Sequence, residues 1–262
     1  MAQPCARALA LLIFLWPYSG TVAAATPAAP ECRSSAAALP SVARLRTAMA
    51  QGRFTAYQPT SLQVIDGRVK DADVDNIRAD LTQLRERFDG LITYDAIHGA
   101  QQIPAIAAAL KFRSLIIGVW DPGDGAQLDF LLLNVHPVFQ PWFRDAPDGA
   151  AAQFVVNVLA KLALHACGPM LVKETGVPTA PESAGFSEAR QAGFYRELRR
   201  VLPPGRTQAF AYFAAYDAPW RAYDATGVPG TPAVHPEEAH WGLYDEARRP
   251  KAAARELPPL AR

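Results

Sequence analysis

Short apolar runs alternate along this chain with amphipathic stretches of helical period, and that alternation most constrains its fold. The apolar runs are Phe54 to Tyr57, Leu91 to Tyr94, Leu115 to Trp120, Phe130 to Val135, Met170 to Lys173 and Ala209 to Tyr216. After the first run, Val74, Ile77, Leu81, Leu84 and Phe88 recur at intervals of three and four, which places them on one helical face. Asp71, Asp73 and Asp75 lie at the start of this helix and Arg85 and Arg87 at its end, the charge order a helix dipole favours. Gly90 is positioned to close it. A short helix is expected around Ile106. A longer one carries Phe154, Val155, Val158, Leu159 and Leu162 and should stop at Gly168-Pro169. Ser187 can cap another, with Phe194, Leu198 and Val201 on one face and Pro203-Pro204-Gly205 after it. Strands alternating with helices predict a parallel sheet with helices on its faces. The almost uniformly apolar run Phe130 to Val135 suits a strand covered on both sides.

Polar and aromatic residues gather just after these runs: Gln58, Tyr94-Asp95, Trp120-Asp121, His136, Glu174 and Asp217. In a (β/α) barrel the C-terminal strand ends share one face, and that face carries the chemistry. The 262 residues suit one such domain. Periodicity alone also allows an open doubly wound sheet, but no glycine-rich phosphate loop follows the first strand. The expected fold class is therefore α/β, of the (β/α)8 TIM-barrel type but incomplete, with about six of eight β/α units visible. One junction is anomalous. Only Asp121 to Asp129 separate the third and fourth runs, whereas a parallel crossover needs at least about 10–12 residues. Asp124-Gly125 within it resembles a hairpin turn. Either these two strands pair antiparallel, or β/α units are missing between them.

The chain opens with Arg7, an apolar run from Ala8 to Trp16, breakers at Pro17 and Gly20, and small residues Val22-Ala23-Ala24. These are the parts of a signal peptide over residues 1–24, and the run is short for a membrane span. An uncleaved anchor is the alternative. Secretion or export to the periplasm is the expectation, with no later membrane span. Residues 25–45 read as a flexible segment, 46–252 as the barrel domain and 253–262 as a tail. Cys32 and Cys167 would survive cleavage; in an oxidising compartment they can form a disulfide, or they remain two free thiols. Lys+Arg 26 against Asp+Glu 25 leaves a net charge of +1, unlike the basic excess of nucleic-acid binders. His98, His136, His165, His235 and His240 show no zinc-type spacing, so no metal is expected. A Gly-x-Ser-x-Gly nucleophile elbow is absent, which argues against a serine hydrolase.

Several segments fall in the order of one known family. They are Ala56-Tyr57-Gln58-Pro59, Ile92-Thr93-Tyr94, Leu132-Leu133-Asn134-Val135-His136-Pro137 and Lys173-Glu174-Thr175-Gly176-Val177-Pro178-Thr179. Ala189-Arg190-Gln191-Ala192, Phe213 to Trp220, His240-Trp241-Gly242-Leu243-Tyr244 and Arg248-Arg249-Pro250-Lys251 follow. Together they resemble glycoside hydrolase family 17. The resemblance implies a retaining hydrolase or transglycosylase of β-1,3-linked glucan, with no cofactor. It implies that Glu174 is the nucleophile. Tyr57, Tyr94, Trp220 and Trp241 are candidates to stack on sugar rings, and Asp95, Asn134, His136 and Asp217 to bond their hydroxyls. Each aromatic can equally be plain core. The family's strands four and five have no counterpart here, and neither does the Gly-Asn-Glu motif that carries its acid/base glutamate. That gap coincides with the short junction. Retaining chemistry needs two carboxyl groups about 5–5.5 Å apart, so impaired catalysis is expected unless Asp95, Asp121 or Asp217 substitutes. The alternative is a β-glucan-binding pseudoenzyme or a truncated remnant. The oligomeric state is left open.

Overall fold

The computed structural model describes residues 39–65, 68–94, 97–117, 131–164, 168–223 and 235–260. All six predicted strands form. They are β1 (Phe54–Ala56), β4 (Gly90–Thr93), β5 (Ser114–Ile117), β6 (Leu131–Asn134), β7 (Met170–Thr175) and β8 (Gln208–Tyr212). Between β1 and β4 lies a small antiparallel hairpin of β2 (Gln63–Ile65) and β3 (Arg68–Lys70). The helices are α1 (Leu39–Gln51), α2 (Val74–Leu84), α3 (Ile103–Ala109), α4 (Asp148–Ala163), α5 (Glu188–Val201) and the short α6 (Ala252–Arg255).

The main sheet is parallel, in the order β5-β4-β1-β8-β7-β6. It is a curled half-barrel with helices alternating between the strands. Consecutive strands β5 and β6 stand at opposite edges of the sheet. The antiparallel reading of the short junction therefore falls: β5 pairs with β4 and β6 with β7, both parallel. The joining residues, including Trp120, Asp121 and the Asp124-Gly125 pair, lie outside the described residues.

Strand alternation divides the core into two layers. On one face, Leu91, Val172, Phe210 and Tyr212 pack with Ile77 and Leu81 of α2, Val155 and Leu159 of α4, and Phe194 and Leu198 of α5. On the other, Phe54, Ile92, Leu171, Ala209 and Ala211 meet Met49 of α1. Met49 is wholly buried; a side chain so enclosed contributes about 1.5–3 kcal/mol. Residues 39–45 are thus the start of an ordered helix with Val42 buried, not part of a flexible lead-in. The tail expected from residue 253 is likewise corrected. Ala253, Ala254 and Leu257 are buried, because the small residues of α6 let it lie close against α5.

Caps fall where the side chains can make them. Asp73 accepts from the Asn76 amide at 2.8 Å to open α2, and Ser187 accepts from the Arg190 amide at 3.1 Å to open α5. Gly90 is not a helix stop but the first residue of β4. A Cβ there would sit 2.4 Å from the Phe54 ring. Cys32 and Cys167 lie outside the described residues. Among the described residues no helix is long and apolar enough to cross a membrane.

Candidate active site

The apolar start of β7 carries Glu174 to the C-terminal end of the strand. The register of β7 shifts against β8 between Val172 and Thr175, and against β6 between Leu133 and Asn134. Such irregularities re-aim side chains at strand ends. Here the neighbouring residues Lys173 and Glu174 converge: Lys173 Nζ donates to Glu174 Oε1 at 3.2 Å. His136 Nε2 approaches Glu174 Oε2 at 3.6 Å from the end of β6. The Val135 amide bonds the Glu174 carbonyl at 2.9 Å, locking the two strand ends together. Glu174 is only 9% exposed. Burial pushes its carboxyl up, but the His136 and Lys173 contacts outweigh burial and hold it below the ordinary glutamate value. It is an ionised, positioned oxygen pair, which is what a nucleophile requires.

The His136 ring lies in an aromatic box, with centroids 5.3 Å from Phe213, 5.2 Å from Trp241 and 5.7 Å from Phe139. Phe139 is exposed, while Trp241 is buried. Neither Trp241 Nε1 nor His136 Nδ1 has a hydrogen-bond partner among the described residues. Lys173 Nζ stands 5.9 Å from the Tyr94 ring centroid, within cation–π range. Burial, then the Glu174 charge, raises the Tyr94 hydroxyl far above the usual tyrosine value, although the two groups close no well-formed hydrogen bond. Of the expected site residues, the structure brings together Glu174, His136, Tyr94 and Trp241. Asn134 lies beside them, opposite Glu174 in the register and exposed. Half-buried Trp220 lines a small adjoining cleft with Tyr94 and Asp217. Arg221 lies 5.2 Å from the Trp220 ring centroid and donates to Gln58 Oε1 at 2.9 Å. Asp95 lies outside the described residues.

Tyr57 is a correction. One residue beyond β1, it belongs to the helix-covered layer and is 1% exposed. Its hydroxyl donates to Asp80 Oδ2 at 3.0 Å. Strand alternation turns it away from the site, so it cannot stack on a sugar there.

Asp217 is strongly engaged. Its Oδ1 accepts from Lys251 Nζ at 2.7 Å and from the Gly242 amide at 2.8 Å. Both partners of this ion pair are buried. Burial raises the Asp217 carboxyl despite Lys251. The pair ties the segment carrying Trp241 to the strand end after β8. Asp217→Asn should therefore lower folding stability by about 1.5–3 kcal/mol, the size of a hydrogen bond to a charged group. Urea unfolding checks this; an unchanged midpoint would remove the anchoring role.

Sequence reasoning missed Lys173, Gln191 and Tyr195. Gln191 Nε2 lies within hydrogen-bonding distance of the carbonyls of Val177, Trp241 and Gly242, at 3.0, 3.2 and 3.2 Å. Tyr195 accepts from the Phe213 amide at 3.0 Å and lies 2.9 Å from the Thr175 carbonyl. A fully buried glutamine and a tyrosine four residues apart on α5 thus stitch the rims of β7 and β8 together. The polar residue inside an otherwise apolar helical face was the available signal.

No family model matches the sequence, and no curated protein matches it. Solved structures do match in fold. One is an active-site mutant of the Rhizomucor miehei β-1,3-glucanosyltransferase in complex with laminaritriose. It is similar at a TM-score of 0.51 and 16% identity, over 77% of this chain and 96% of that one. This chain has a (β/α)-barrel fold, incomplete. A second similar structure, the GH2 β-galacturonidase of Eisenbergiella tayi bound to galacturonate, has a TM-score of 0.48 and 10% identity. That likeness covers 79% of this chain but 50% of the galacturonidase.

Proposed function

We propose that this chain is a β-1,3-glucan-active relative of the retaining glycosidases, with Glu174 as nucleophile and with the acid/base half of the reaction impaired. The observation that carries the reading is Glu174 itself: an ionised carboxylate at a strand end, flanked by His136 and Lys173. The fold likeness to a glucanosyltransferase holding laminaritriose supports the choice of a β-1,3-glucan. Retention requires one carboxylate to attack C1 and a second group to protonate the leaving oxygen. Asp217, a candidate for the second role, is held by Lys251 and the Gly242 amide; Asp95 and Asp121 lie outside the described residues. Absence of a general acid lowers turnover by about 10²–10⁴-fold.

The experiment is release of reducing ends from soluble β-1,3-glucan by the purified chain, beside Glu174→Gln. Slow release that disappears in Glu174→Gln is the expected result. Release unaffected by Glu174→Gln would overturn the assignment of the nucleophile. A second reading, a glucan-binding pseudoenzyme, is favoured by one contact: the Lys173 ammonium occupies Glu174 Oε1. Saturable glucan binding with no release from either protein would select it.

A further inference from the structure

A second pocket, of about 260 Å³, opens where β8 meets the C-terminal segment, lined by Arg53, Arg199, Phe210, Tyr212, Leu257 and Pro258 among others. It shares no lining residue with the cleft beside Tyr94 and Trp220. Its walls are mainly apolar, yet two guanidinium groups face it. Arg53 comes from the turn between α1 and β1, and its Nη1 donates to the Pro258 carbonyl at 2.8 Å. Arg199 comes from the last turn of α5. Arg87 also donates to this segment, at the Leu257 carbonyl, so the wall is fixed rather than loose.

Charge and hydrogen bonding are both unbalanced there. Among the described residues, neither the buried Arg199 Nη1 nor the Tyr212 hydroxyl has a hydrogen-bond partner. Tyr212 is 1% exposed. The Arg199 guanidinium lies close enough to the Tyr212 hydroxyl to pull it down against the effect of burial, but the two close no well-formed hydrogen bond. Among the described residues, the carboxylate that pairs with Arg199 is Glu256, 3.9 Å from Nη2, and Glu256 already pairs with Arg196 at 2.5 Å. Burial pulls the Arg53 guanidinium down, Tyr212 and Asp89 counteract this, and the Arg199 and Arg87 charges lower it further. Buried donors without acceptors have lost their water without replacement, which destabilises the unliganded state. A planar carboxylate is the acceptor that guanidinium groups match best.

We infer that this pocket binds a small organic carboxylate, its charged end on Arg199 and the Tyr212 hydroxyl and its apolar body against Phe210, Leu257 and Pro258. The volume falls below the range for drug-sized ligands, about 300–1,000 Å³, so the ligand is a compact acid. The site is separate from Glu174 and does not rest on the proposed glycosidase chemistry.

Benzoate is the probe, titrated calorimetrically into the full chain, with benzyl alcohol as neutral analogue and inorganic phosphate as an anion lacking the apolar body. Benzoate should bind saturably at one site, with benzyl alcohol and phosphate at least about tenfold weaker, a difference of roughly 1.4 kcal/mol. Arg199→Gln should weaken benzoate by about tenfold or more and Tyr212→Phe by about threefold. No saturable benzoate binding, or equal binding of either analogue, overturns the inference. If Arg199→Gln fails to fold by circular dichroism, Tyr212→Phe carries the test, and unchanged benzoate affinity in it overturns the inference.

Discussion

Asp80→Ala is expected to lower folding stability by about 3–5 kcal/mol, the loss measured when one partner of a buried charged cluster is removed. Asp80 lies in the middle of α2 and has no solvent exposure. Its carboxylate accepts from Arg248 Nε at 2.8 Å, the Thr60 amide at 2.9 Å, Thr60 Oγ1 at 2.9 Å and the Tyr57 hydroxyl at 3.0 Å. The Tyr216 hydroxyl donates to its backbone carbonyl at 3.0 Å. One side chain thereby joins α2, the end of β1 and the C-terminal segment. Alanine would leave several buried donors unpaired and a cavity among them. Urea denaturation at neutral pH checks the loss, and a change below about 1 kcal/mol would count against the cluster as a keystone.

Asp80→Asn should lose less than Asp80→Ala. Burial raises the Asp80 carboxyl, and the Thr60, Arg248 and Tyr57 contacts pull it back without cancelling that rise. An acid whose folded pKa lies above its unfolded one stabilises the fold most in its protonated form. Its contribution is full below the ordinary aspartate pKa and declines as pH rises through the raised folded value. At neutral pH the charge partly offsets the hydrogen bonds it collects, so a neutral amide whose oxygen keeps the Arg248 and Thr60 Oγ1 bonds retains part of the benefit, while its NH2 faces the Thr60 amide with no acceptor. An Asp80→Asn variant as unstable as Asp80→Ala would show instead that the charge itself holds the cluster.

The repeating units of this fold were legible because periodicity reports burial directly. Phe54, Leu91, Leu115, Leu131, Met170 and Ala209 each lie in or at the predicted strands, and the stripe Ile77, Leu81, Leu84 is wholly buried. The gap between β5 and β6 was legible from the length of one link. Other features were hidden by local composition. The stripe Val42, Leu45, Met49 in α1 has helical spacing, but it sits in an alanine-rich stretch that reads as linker. The β2–β3 hairpin had its signal in Asp66-Gly67 between alternating residues. Asp80 could have been noticed as a carboxylate on the apolar face between Ile77 and Leu81. Its partners, Thr60 and Arg248, are distant in sequence and no spacing rule reveals them. Of the site, Glu174 and His136 were placed at strand ends by sequence. The meeting of Lys173 with Glu174 was not, because regular alternation sends neighbours to opposite faces and only the register shift brings them together.

An aryl β-glucoside with a good leaving group should glucosylate Glu174 and leave the adduct in place. The first half of a retaining reaction needs an ionised nucleophile and a leaving group able to depart. The contacts from His136 and Lys173 keep Glu174 ionised, and a dinitrophenolate-type leaving group departs without protonation. As the Glu174–C1 bond forms, the C1–aryl oxygen bond breaks and its electron pair leaves with the aryl oxide. The second half needs a base to take a proton from water, and on the proposed reading that is the impaired half. Glycosylation should therefore outpace hydrolysis by about 10²-fold or more, the general-base contribution. A stoichiometric burst of phenolate should precede a slow steady rate, and intact-protein mass spectrometry should show one added glucosyl unit. Glu174→Gln should show neither. Acid weakens the burst only when pH falls through the depressed Glu174 value, so it should stay level across the mildly acidic range. Lys173→Met tests the ion pair: freed of its ammonium partner, Glu174 becomes a stronger nucleophile, and the burst should accelerate several-fold. A burst that survives in Glu174→Gln would move the nucleophile elsewhere. Multiple turnovers without an adduct would mean that a working acid/base is present after all.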